Sequence, residues 1–254
     1  MTTQESKQAS DNAIGGRPSD DICPERLAES GRAVANLAHM VKNIIQVLSG
    51  CGEIIDLGLE TGQFDRVRQA WQLYKPNFKR LKKFQVDLIK FTKNYPLELQ
   101  PCDVGDIFAA AVKEAEAMLS ARSVEIVSKT QHNLPTLVAD GEKLREAIVN
   151  VLIAAVDNLQ GQAGQVTLDA RTDAVGEAIV VSVSDSGPRL DEAACRMLLS
   201  PGERPGTMLG VGLEVPLAQQ VIEDHGGSLA INTNAAKVGN TVDMTLNLKA
   251  TSKN

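Results

Sequence analysis

VANLAHMVKNIIQVLSGCGEII, residues 34–55, decides how the N-terminal part of the chain folds. Its apolar side chains, Val34, Leu37, Val41, Ile44, Leu48, Cys51 and Ile55, recur in alternating steps of three and four. That spacing is the seam of a helix that packs in a coiled-coil-like bundle. No proline interrupts Glu25 to Glu60, so one helix is expected over that span. Thr61-Gly62-Gln63 breaks the pattern and reads as a turn. A second helix is expected from Phe64 to Lys93, carrying Trp71, Tyr74, Phe78, Leu81, Phe84, Leu88 and Phe91, with a kink or short break at Pro76. Two long helices joined by a short turn form an antiparallel hairpin. A single hairpin cannot bury both apolar stripes, whereas two copies paired as a four-helix bundle can, so a homodimer through the hairpin is expected.

Upstream of the hairpin, residues 1–24 are rich in Ser, Asp, Gln and Gly without apolar periodicity, and read as a disordered leader. Downstream, Tyr95-Pro96 and Pro101 mark a linker, after which the texture changes. Helical patterns over Val104–Leu119, Gly141–Asn158 and Leu213–Asp224 alternate with strand-like runs at Val124–Val127, Val166–Ala170, Ala178–Val183, Ser228–Asn232 and Thr241–Leu248. The pattern predicts one mixed sheet with helices on a single face. The expected division is a leader (1–24), a hairpin unit (25–96) and an α/β sandwich (97–250).

Composition excludes several classes of function. The net charge is −6 and aromatic residues make up 3%, so neither a basic stripe for DNA nor base-stacking platforms for single strands are expected. No apolar run reaches the length of a membrane span, and the N-terminus lacks a signal-peptide pattern. Cys23, Cys51, Cys102 and Cys195 are scattered without metal-ligand spacing, which reads as reduced thiols in a cytoplasmic protein.

The three histidines sit in different settings. His132 lies in a loop before Leu134-Pro135 and needs no explanation. His225 precedes Gly226-Gly227 at the end of a helical pattern, where the helix dipole favours a partly positive side chain. His39 falls opposite the apolar seam, on the face of Arg32, Gln46, Glu53 and Glu60, so it is expected to point to solvent from mid-helix. By itself that describes an ordinary solvated residue. Asn43, one turn on, and the adjacent Lys42 change the reading.

Leu37-Ala38-His39-Met40-Val41-Lys42-Asn43-Ile44-Ile45 resembles the phospho-acceptor box of the two-component histidine kinases, most closely a subgroup with a histidine-x-x-lysine-asparagine core. The resemblance implies that His39 takes the γ-phosphoryl group of ATP and passes it to an aspartate of a response-regulator receiver domain. An imidazole suits that role, because its unperturbed pKa of ~6.5 leaves a neutral nitrogen nucleophile near pH 7. Lys42 and Asn43 join His39 as expected catalytic residues, Asn43 at the position that orients water for dephosphorylation in the family. The family's acidic neighbour of the histidine is replaced by Met40, which has no proton chemistry.

The resemblance extends through a GHKL-type ATPase fold. Leu144 to Ala155 resembles the family's asparagine box, with Asn150 as the expected nucleotide and Mg²⁺ ligand and Ala154 where a second asparagine is usual. Ile179 to Pro188 resembles the first glycine box, a strand running into Asp185-Ser186-Gly187, where the aspartate accepts from the adenine amino group. Arg189 stands where a second glycine is usual. Gly206 to Leu217 resembles the second glycine box, a lid over the phosphates, with Gly210, Gly212 and Leu213 at the nucleotide and Glu214 where a small residue is usual. Taken singly, Asp-x-Gly is a common strand-end turn and Gly-rich loops recur by chance. Their order and spacing carry the resemblance. It implies ATP and Mg²⁺ as cofactors and autophosphorylation of His39. The alternative is an ATP-incompetent histidine phosphotransferase or dimeric scaffold on the same fold, favoured by Met40, Ala154, Arg189 and Glu214.

Overall fold

A computed structural model describes residues 24–93, 95–119, 123–131, 133–202, 209–233 and 239–248, without the side chains of 24–30 and Arg32. Residues 1–23 of the leader, Cys23 among them, His132 and Gly206 to Met208 therefore lie outside the described residues, while Pro24, expected in the leader, already belongs to the first helix.

The hairpin consists of α1 (Pro24–Glu60) and α2 (Phe64–Thr92). Gly62 makes the turn with φ +70°, a conformation glycine adopts without strain. The amide of Gln63 donates to the Gly58 carbonyl at 2.7 Å and the Thr61 hydroxyl to the Leu57 carbonyl at 2.7 Å, which satisfies the end of α1. The helices approach closely at Gly58, where an added Cβ would lie 2.7 Å from Val67 Cγ2. The expected break at Pro76 does not occur: α2 is continuous through it. Pro76 has no N–H to donate to the Gln72 carbonyl one turn back, and Asn77 donates its side-chain amide to the next carbonyl, Leu73, at 2.9 Å.

After the hairpin come β1 (Gln100–Cys102), α3 (Val104–Leu119), β2 (Val124–Thr130), β3 (Leu137–Ala139) and α4 (Gly141–Asn158). They are followed by β4 (Gly164–Thr172), β5 (Ala178–Asp185), α5 (Glu192–Leu199), α6 (Glu214–Asp224), β6 (Ser228–Asn232) and β7 (Thr241–Asn247). Five strands form a sheet in the order β2-β4-β5-β7-β6, with β2 parallel to β4 and the remaining neighbours antiparallel. β1 and β3 make a separate two-stranded ladder.

Side chains alternate across the sheet. Val166, Leu168 and Ala170, Ile179, Val181 and Val183, and Val242, Met244 and Leu246 are buried in one core with α3, α4 and α6. The other face carries Asp169, Arg171, Ser182 and Asp243, joined by hydrogen bonds from Arg171 to Asp169 and Ser182 and from Ser182 to Asp243. The expected helices-on-one-face sandwich is therefore present. α4 lies at its centre, capped by the Asp140 carboxylate accepting from the Lys143 amide at 3.1 Å.

The sandwich docks on the hairpin through an apolar cluster: Met40, Ile44 and Phe84 from the hairpin, and Val211, Leu213 and Leu217 from the loop and start of α6. Fully burying such side chains stabilises by roughly 1.5–3 kcal/mol each, so this cluster outweighs the polar contacts around it.

Candidate functional site

His39 is exposed on α1. Its Nδ1 lies 3.2 Å from the Asn43 side-chain amide nitrogen, one turn along the helix. Met40, the next residue, is wholly buried in the cluster with Val211 and Leu213. The residue that replaces an acid in the sequence thus holds the glycine loop against the hairpin, beside the exposed imidazole. Lys42 is exposed on the same stretch.

His225 departs from its expected role. The Asp140 amide donates to its Nε2 at 3.0 Å, and its Nδ1 lies 2.7 Å from the Val221 carbonyl oxygen. A backbone N–H can only donate, so Nε2 is the acceptor and Nδ1 carries the proton. His225 is therefore a neutral tie between the end of α6 and the start of α4, not a charge placed on the helix dipole.

A cavity of about 370 Å³ opens at the end of β5. α4 supplies Ala154, Asp157 and Asn158; β5 supplies Asp185; α5 supplies Ala193, Ala194, Met197 and Leu198. Sequence reasoning missed α5, although Asp191 is a signal for it: its carboxylate caps the helix by accepting from Ala194 N at 2.7 Å.

Asp185 lines the cavity with its carboxylate already engaged. Oδ1 accepts from Asn158 Nδ2 at 2.8 Å and from the Gly187 amide at 2.8 Å, and Asn240 Nδ2 lies 3.3 Å from both oxygens. Burial pushes this carboxyl above the usual aspartate range, against the pull of the Asn158, Gly187 and Asn240 donors. Gly187 packs on α4 so closely that a Cβ there would lie 2.6 Å from the Asn158 carbonyl oxygen. Arg189 is exposed.

Asn150 is not part of this cavity. It faces a second one, of about 540 Å³, between α2, α4 and α6, with Lys90, Lys143, Glu146 and Gln220. Ala154, at the second asparagine position, does line the Asp185 cavity but has no ligand atom. Asn150, the expected Mg²⁺ ligand, and position 154, where a second asparagine is usual, therefore border different cavities. Among the described residues there is no group of three or more His, Cys, Asp or Glu able to hold an ion.

The glycine loop is held from below. Leu209 N and Gly210 N donate to Asp157 Oδ1 and Oδ2 at 2.9 and 2.8 Å, while Val211 N and Gly212 N donate to Glu214 Oε1 and Oε2 at 2.6 and 2.9 Å. Arg80 of α2 donates from Nε to the Gly210 carbonyl at 2.9 Å. Lys83 pairs with Asp87 and lies 3.7 Å from Glu214. Burial raises the Asp87 pKa, and the Lys83 charge opposes that rise. Glu214 and Leu213 are wholly buried.

Residues 139–250 match the model of the histidine kinase-, DNA gyrase B- and HSP90-like ATPase family. The chain is 21% identical over 209 residues to the sensor histidine kinase ZraS of Salmonella typhi, a match covering 82% of this chain and 44% of that protein. It is 24% identical over 242 residues to the adaptive-response sensory kinase SasA of Prochlorococcus marinus, covering 89% of this chain and 61% of the relative. The chain thus spans less than half the length of ZraS. The histidine kinase ThkA, solved in complex with the response regulator TrrA, superposes with a TM-score of 0.70 at 16% identity, covering 91% of this chain and 65% of that one.

The two described histidines should differ in reactivity. Diethylpyrocarbonate followed by mass spectrometry is expected to modify His39 readily and His225 slowly, since both ring nitrogens of His225 are engaged. Equal labelling would contradict the placement of His39.

Proposed function

We propose that this chain, which has the hairpin-plus-ATPase architecture of a two-component histidine kinase transmitter, carries a phosphoryl group on His39 and delivers it to an aspartate of a response-regulator receiver domain. The observation that carries this reading is the exposed His39 imidazole, mid-helix beside Asn43, on the helix where the ATPase-type domain docks through Met40. Residues 25–96 then serve as the dimerisation and phosphotransfer unit and 97–250 as the ATP-binding unit.

In autophosphorylation, a lone pair on an imidazole nitrogen forms the N–P bond, the bond from the γ-phosphorus to the bridging oxygen breaks, and ADP leaves. The ring proton goes to water, because Met40 offers no base. General-base help is commonly worth ~100-fold or more, so a slow reaction is expected. As oriented, the Asn43 amide donates to Nδ1. Turning that amide over would let its oxygen accept from Nδ1–H and leave Nε2 free to attack. The phosphoryl group then passes to a receiver carboxylate, and Asn43 is suited to orient the water that later removes it.

Asp185 and Gly187 are the residues we assign to nucleotide contact; Gly210, Gly212 and Leu213, expected there from the sequence, are buried, the two glycine amides on Asp157 and Glu214 and Leu213 against the hairpin. The arrangement of Asn150 and Ala154 does not fit a bound Mg²⁺, so no step is assigned to the metal. A second reading, an ATP-independent histidine phosphotransferase or dimeric scaffold, is favoured by one observation: the loop amides suited to phosphate already hold carboxylates. A cytoplasmic location is supported by unpaired Cys51, Cys102 and Cys195. Among the described residues, no helix is long and apolar enough to cross a membrane.

Dimerisation through the hairpin is supported by large apolar side chains left exposed on it. Val47 and Ile54 on α1 are seven residues apart, as are Phe64, Trp71 and Phe78 on α2. Trp71, Tyr74 and Phe78 form a stacked row with centroids 5.3 and 5.8 Å apart. Seven-residue spacing keeps these side chains on one face of each helix, as a bundle seam requires.

Incubation with γ-labelled ATP and Mg²⁺ is expected to give acid-labile label on the wild type and none on His39→Ala, with transfer to a receiver domain. Labelling that survives His39→Ala would reject His39 as the acceptor. Absence of label alongside acceptance of phosphoryl from a phosphorylated receiver would favour the second reading. Sedimentation velocity should show a dimer that Trp71→Lys weakens at least ten-fold, and a monomeric wild type at tens of micromolar would refute the bundle.

A further inference from the structure

Four consecutive backbone amides, Leu209 to Gly212, all point their hydrogens at carboxylate oxygens of the same chain. Successive N–H groups arranged in this way form an anion-binding concavity. Asp157 fills one half with both its oxygens and Glu214 fills the other. Both side chains are buried and the hydrogen bonds are charge-assisted, so the occupation is strong.

The glycines fit the carboxylates themselves. A Cβ at Gly210 would lie 2.7 Å from the Glu214 carboxyl carbon, so residue 210 must be glycine for Glu214 to fold back. Gly212 has φ +72°, which brings the chain round for its own amide to reach Glu214. Two glycines that suggest a phosphate loop in the sequence thus serve an internal acid.

We propose that Asp157 and Glu214 are specificity determinants that act as a built-in substitute for phosphate, so that the Asp185 cavity takes an uncharged or low-charge adenine ligand in preference to a nucleoside triphosphate. The proposal rests on reading that cavity as an adenine pocket. Three features converge on it. Asp157 lines the cavity as well as holding the loop, so a carboxylate borders the space a bound nucleotide would fill. Ala154 offers nothing to a metal that would offset that charge. The loop is fastened on its far side by Arg80 and by Met40, Ile44 and Phe84, so phosphate must displace two carboxylates from a docked segment to reach the amides. Asp185 lines the same cavity and is held by Asn158, Gly187 and Asn240, not by either acid.

The test is an isothermal titration series of adenosine, AMP, ADP and ATP against the wild type and Asp157→Asn/Glu214→Gln, without Mg²⁺. For the wild type the expected affinity is flat or falling along the series, with ATP no tighter than adenosine. In the double variant ATP should bind at least ten-fold tighter than to the wild type, while adenosine changes less than three-fold. The wild-type series needs no variant to fold, and Asp157→Asn alone gives half of the comparison. Wild-type ATP binding ten-fold or more tighter than adenosine overturns the proposal. Adenosine binding to neither protein overturns it together with the adenine reading of the cavity, which Asp185→Ala tests separately by abolishing adenosine binding. Labelling of His39 by γ-labelled ATP is read in a parallel incubation with Mg²⁺, so an inactive protein with the series intact strikes the kinase activity alone.

Discussion

Backbone N–H groups buried in a loop must find acceptors, and a loop has no helix or sheet ladder to supply them. Between Leu209 and Gly212 this chain meets the demand with two carboxylates, one from the last turn of α4 and one from the first turn of α6. Leaving one such buried group unmade costs about 1–3 kcal/mol, so four of them amount to a large share of a domain's stability. Much of the architecture around the site follows from this. Asp157 ties the loop to the central helix, Glu214 turns it into α6, and the fixed loop presents Val211 and Leu213 to Met40 and Phe84. The orientation of the sandwich on the hairpin is thereby linked to the chemistry of the cavity.

The same arrangement gives a physical meaning to the departures from the family pattern. Met40, Ala154 and Glu214 each look like a loss when set against the histidine kinases. In the folded chain Met40 is a docking residue, Ala154 is a wall of the cavity, and Glu214 is an anion already seated among the amides. Lys83, paired with Asp87 and close to Glu214, and Arg80, hydrogen-bonded to the Gly210 carbonyl, carry the coupling on to α2. A change in the loop would therefore be felt on the helix pair that bears His39.

Long periodic segments were legible because their pattern repeats many times. The alternation in β4 and β7 and the core-facing residues of α4 lie where the spacing placed them, and so does the middle of the α1 seam at Ile44 and Cys51, whereas Val34 at its start is exposed. Short elements were not: β1 and β3 have three residues each, too few for alternation to register, and α5 has eight. Of the kink or short break expected at Pro76, the break is absent, α2 running on through it. The site was legible as residue types in order, including exposed His39 and Asp185 in a cavity. What each side chain faces was not, because tertiary contacts decide it. Asn150 turns to the cleft beside Lys90, and the partners of Asp157, Glu214 and His225 lie across the fold or depend on a loop conformation that spacing does not encode.

Native-state amide hydrogen exchange in the absence of nucleotide measures the carboxylate-held loop directly. The amides of Leu209, Gly210, Val211 and Gly212 should be protected to about the level of the α6 backbone. Exchange of these four amides at the rate of an open loop would contradict the account.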